Sequence, residues 1–124
     1  MKYDPAKTPD PANWLSLDED QRIASVVKYH NQRRETLPNT RLHAALHVIV
    51  ENQLAEAIPA VREALSRLLG EGLDRHEALH AIGSVLATHL FHQMKGQSAS
   101  VDPNDRYFKD LESLTASSWR AQTR

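Results

Sequence analysis

The sequence predicts an all-α fold, a single-domain bundle of four to five helices over residues 1–124. Three observations predict it. Apolar side chains recur at three- and four-residue steps in successive segments, the period of helices with one buried face. Capping residues and prolines stand where those segments begin and end. No apolar–polar alternation runs beyond three residues, so no segment reads as a strand. A chain of 124 residues is one ordinary domain, and 40% hydrophobic with 25% charged residues is globular composition rather than that of a disordered chain.

Residues 1–15 hold prolines at positions 5, 9 and 11, each of which disfavours helix at the residue before it. They are expected to form an extended arm anchored by Trp14 and Leu15. Ser16-Leu17-Asp18-Glu19 reads as a capping box opening the first helix, with an acidic first turn suited to the helix dipole. Ile23, Val26, Val27 and His30 then share one stripe, and Leu37-Pro38 breaks the helix. Asn39 or Thr40 caps the second helix, which is expected to run to about Ala57 and to stop before Ile58-Pro59. Its central stripe is Leu42, Ala45, Leu46 and Ile49, flanked by His43, His47, Val50 and Leu54. Pro59 opens a third helix with Val61, Leu65, Leu68 and Leu69 inward, closed by Gly70 and Gly72. Asp74-Arg75-His76-Glu77 is a second capping box, and the fourth helix is expected to reach about Lys95. Its stripe is Leu79, Gly83, Leu86 and Leu90. Residues 96–102 read as a loop. Asp102-Pro103 is expected to cap a last helix carrying Phe108, Leu111 and Leu114, extended by Trp119 and frayed from Ala121.

Composition excludes several function classes. Fifteen Lys and Arg against sixteen Asp and Glu give no electrostatic reason to expect nucleic acid or an anionic membrane as partner. With no cysteine there are no disulfides, no thiolate chemistry and no cysteine-ligated metal. The first thirteen residues carry no apolar run and do not resemble a secretory signal. The longest uncharged stretch, Ala78 to Met94, is too short and polar to span a bilayer. A cytoplasmic location is the expectation.

Seven histidines are the unusual feature. Side chains at i and i+4 of a helix sit side by side, so two imidazoles so placed can reach one ion at about 2.1 Å. That spacing occurs twice, at His43/His47 and His76/His80. His30, on the inward face of its helix, is a fifth nitrogen or an outer contact. A nitrogen-rich donor set favours zinc, nickel, iron or copper over magnesium or calcium. His89 and His92 project away from the His76/His80 side and are expected to be solvated or to meet a neighbouring subunit.

Two motifs overlap this constellation. Residues 76–80, His-Glu-Ala-Leu-His, satisfy the zinc-peptidase pattern in which two histidines bind metal and Glu77 would be general base. The longer pattern fails at Leu86, and Glu77 has a plain job in the Asp74 cap, so catalysis is not the expectation. Glu77-Ala-Leu-His80 is also half of a di-iron carboxylate motif, but Glu51 is the sole carboxylate in line with a histidine pair. Val61 to Leu86 has the layout of a helix-turn-helix. Its second helix opens acidic and turns apolar, unlike a recognition helix.

The run Arg41-Leu42-His43 through Glu51-Asn52-Gln53, with Leu73-Asp74-Arg75-His76-Glu77-Ala78 and His80-Ala81-Ile82-Gly83, resembles an uncharacterised family of short bacterial proteins, a domain of unknown function. The resemblance covers roughly Trp14 to Met94. It implies a helical fold and a bacterial cytoplasmic origin, and no activity, substrate or ligand. The sequence thus leads to a helical protein that binds a divalent transition metal through His43, His47, His76 and His80, with His30 beside them. The competing expectation is a metal-free interaction module or homo-oligomer whose histidines are hydrogen-bonded groups along a helix seam.

Overall fold

The computed structural model describes residues 2–33, 39–96 and 104–122. Every element among them is helical: α1 (Pro11–Ser16), α2 (Glu19–Gln32), α3 (Thr40–Ala55), α4 (Pro59–Gly70), α5 (Arg75–Met94), α6 (Asp105–Ser113) and α7 (Ala116–Gln122). The all-α class is therefore right and the count of four to five helices is too low. None of these helices is long and apolar enough to cross a membrane. The chain resolves into two compact units, Met1–Ile58 and Pro59–Arg124.

The two additional helices are short, and local chemistry explains both. α1 lies partly within the stretch expected to be extended. Pro11 occupies its first turn, where proline loses no hydrogen bond, and the Asp10 side chain accepts from the Asn13 amide. Ser16 closes this helix instead of opening the next, and the capping box belongs to Asp18 and Gln21, each side chain accepting from the other's backbone N–H. At the other end, Leu114 is extended (ψ 127°) and stops α6. Thr115 and Ser118 then exchange backbone-to-hydroxyl bonds of 3.1 and 3.0 Å, which restarts the chain as α7. Trp119 and Ala121 lie in that separate helix rather than in an extension or a frayed tail. The breaks expected at Leu37-Pro38 and over 97–102, and the cap at Asp102-Pro103, lie outside the described residues.

In the first unit α3 packs against both α1 and α2. Its core is Tyr3, Trp14, Val26, Ala44 and Val48, with Leu17, Ile23, Val27, Tyr29 and Ala55 against it. Because α3 is covered on two sides, its buried face is Ala44, His47, Val48, Val50 and Glu51, and the stripe centred on Leu42 is a misreading. Leu42 is 58% exposed. Trp14 does anchor the N-terminal segment: fully buried, it donates from Nε1 to Asn52 Oδ1 at 2.8 Å. Leu15 does not, and is exposed. Arg22 completes the joint by donating to the Trp14 and Leu15 carbonyls, which caps the open end of α1, and to Asn52 Oδ1.

α3 ends in a Schellman arrangement. Ala57 N donates to Leu54 O and Ile58 N to Gln53 O, with Ala57 left-handed at φ 59°. The same motif ends α4 with a better residue: Gly72, at φ 103°, supplies the left-handed position while Leu73 N reaches Leu68 O.

In the second unit α4, α5 and α6 pack mutually. Its buried side chains include Val61, Ala64, Leu68, Leu79, Ile82, Leu86, Tyr107 and Leu111, whereas Leu69, expected inward on α4, is 42% exposed. Arg67 donates to the Leu111 and Leu114 carbonyls and so caps α6, while Glu71 accepts from the Ala116 amide at the start of α7.

Candidate functional site

In the first unit three imidazoles meet. α2 carries His30 on its buried face, as its place in the Ile23–Val26–His30 stripe predicts, and His30 is fully buried. α3 carries His43 and His47 one turn apart. The ring centres lie 4.7 Å (His30–His43), 5.2 Å (His30–His47) and 4.8 Å (His43–His47) apart. When two imidazole nitrogens each lie about 2.1 Å from one ion, ring centres separated by roughly 4.5–5.5 Å result, so all three spacings suit shared coordination.

The outer contacts of two of these rings decide which nitrogen can ligate. His30 Nδ1 is 2.9 Å from the Val26 carbonyl oxygen. A carbonyl only accepts, so Nδ1 carries the proton and Nε2 the lone pair. His47 Nδ1 is 3.3 Å from the Tyr3 hydroxyl, and Tyr3 donates to Glu51 Oε2 at 2.6 Å. Tyr3, His47 and Glu51 are all buried. A histidine that donates its second N–H to a carbonyl or an ordered oxygen has the outer-contact pattern of a metal ligand.

In the second unit α5 presents His76 and His80 with ring centres 4.3 Å apart, both half-buried. Asp74 caps this helix by accepting from the Glu77 amide at 2.8 Å. The Glu77 carboxylate accepts from Trp119 Nε1 at 3.2 Å, which ties α5 to α7. In the peptidase pattern that carboxylate would have to serve a metal-bound water; here it is engaged by an indole. His89 corrects its sequence reading. It is 7% exposed and stacks on Tyr107 at 5.5 Å between ring centres, whereas His92 is exposed as expected.

Sequence reasoning missed Tyr3 and the role of Glu51. Tyr3 sits in a proline-flanked segment with no periodicity, and a tyrosine 44 residues before the histidine it touches leaves no local signal. Glu51 did carry one, since it lies one turn beyond His47 on the same face.

Among the described residues, a small helical protein of two compact units thus holds three neighbouring imidazoles in one unit and a histidine pair in the other. The chain belongs to the family described as a domain of unknown function, DUF1841, which matches residues 11–122. Over 109 residues it is 33% identical to erythronolide synthase EryA3 of Saccharopolyspora erythraea, a match that covers 82% of this chain and 3% of the synthase. The chain thus spans a small fraction of that relative's length. No solved structure matches it.

Proposed function

We propose that this protein binds a divalent transition-metal ion through its histidines: His43 and His47 with His30 in the first unit, and the His76/His80 pair in the second. The observation that carries the reading is the disposition of the buried rings: His30 is held with Nε2 as its lone-pair nitrogen, and His47 is set one turn from His43 beside it. Neutral imidazole nitrogens and no thiolate favour zinc, nickel, copper or iron. A site filled by four side chains is closed and stabilises the fold, whereas three leave a position for water.

A second reading is favoured by the mutual ring spacing in the first unit: His30, His43 and His47 hold the ion by themselves. Titration calorimetry with zinc separates the two. Under the first reading substitutions in either unit, His47→Ala or His80→Ala, each lower affinity or stoichiometry. Under the triad reading His80→Ala leaves affinity and stoichiometry intact while His43→Ala does not. Absence of binding by the wild-type chain sinks both and leaves the metal-free interaction module.

A further inference from the structure

We infer that Tyr3 and Glu51 are positioning residues that fix the tautomer of His47. The argument is a proton count. Tyr3 has one O–H, and the 2.6 Å bond to Glu51 Oε2 has the length of a hydroxyl donating to an ionised carboxylate. A phenol that gives its only proton to Glu51 has lone pairs alone to offer His47. The 3.3 Å contact is therefore Nδ1–H donating to the Tyr3 oxygen, and Nε2 is the unprotonated nitrogen.

Burial makes the count matter. Tyr3 and Glu51 are each 2% exposed and His47 is 4% exposed, so water has little chance to supply a substitute proton. Tyr3 is held for the task by rings on three sides: Trp14 at 5.8 Å, Tyr29 at 6.2 Å and His47 itself at 6.1 Å between centres. Tyr3 lies in the N-terminal segment, ahead of the matched residues 11–122, and reaches His47 from there. The consequence for metal affinity rests on the metal-binding reading above; the tautomer does not.

The test uses the metal-free 124-residue chain labelled with 15N. Long-range 1H–15N correlation spectra of neutral imidazoles report which nitrogen carries the proton. Wild type is expected to show His47 as the Nδ1–H form, and Tyr3→Phe, which keeps the ring and loses the hydroxyl, is expected to move it toward Nε2–H. Zinc affinity of Tyr3→Phe should fall by about 10–100-fold, the usual effect of losing an outer contact to a ligating histidine. His47 found as Nε2–H in wild type overturns the inference without recourse to any variant. An unchanged tautomer in folded Tyr3→Phe, judged by far-UV circular dichroism, overturns it as well. If the tautomer behaves as expected and wild type takes up no zinc, the positioning role stands and the metal-binding reading falls.

Discussion

Replacing Trp14 with alanine tests the account of how the N-terminal segment is held. The ring is fully buried and packs in a core with Tyr3, Val26, Ala44 and Val48. A buried tryptophan removes roughly 150–250 Å² from water, which at about 25 cal/mol per Å² amounts to about 4–6 kcal/mol. Partial collapse of the cavity recovers some of this, and measured Trp-to-Ala losses fall at about 3–5 kcal/mol. The lost indole bond to Asn52 adds little, because Arg22 still donates to the same oxygen at 3.1 Å and Asn52 is not orphaned. The expected loss is therefore about 4 kcal/mol, a large share of the 5–15 kcal/mol that stabilises a typical domain. Urea unfolding followed by circular dichroism at the helix band measures it. Trp14→Phe, which keeps most of the apolar area, should lose less than half as much. A loss below about 1 kcal/mol in Trp14→Ala would refute the packing argument, since no buried aromatic of this size is removed so cheaply.

Three further outcomes are expected. Ala57→Gly should stabilise the chain by about 0.5–1 kcal/mol, because relief of the left-handed strain on a Cβ outweighs the added freedom of the unfolded glycine; a lower urea midpoint would contradict this. Glu77→Ala should leave zinc affinity within about twofold, because the carboxylate serves Trp119 rather than an ion, and should shift the Trp119 fluorescence as the 3.2 Å bond is lost; lost metal binding would make Glu77 part of the site. Zinc affinity should weaken on acidification, since protons compete for the same imidazole lone pairs and metal binding releases them. Affinity unchanged from neutral to mildly acidic pH would exclude histidine as the dominant ligand.

Much of the fold was legible because helix periodicity and caps are local. His30 reads as buried from the residues around it, and α4 is bounded by Pro59 and Gly70 as its end chemistry dictates. The differences have two physical origins, one local and one tertiary. Proline disfavours helix upstream of itself yet suits a first helical turn, and the second property sets α1. The stripe of α3 was drawn as if one neighbour covered it; packing by both α1 and α2 rotates the buried face toward Glu51 and exposes Leu42. His89 was placed by angle alone, and the stacking of Tyr107 from α6 reverses its environment. At the site, spacing named the histidines that share a helix face, but the outer contact from Tyr3 comes from 44 residues away and follows no period.

The central claim is that these histidines hold a metal. Elemental analysis of the untagged protein purified without chelator tests it most directly. The account predicts close to one zinc, nickel, copper or iron ion per chain, or uptake of one on incubation with the metal salt followed by desalting. No metal as purified, and none retained after incubation, would contradict it.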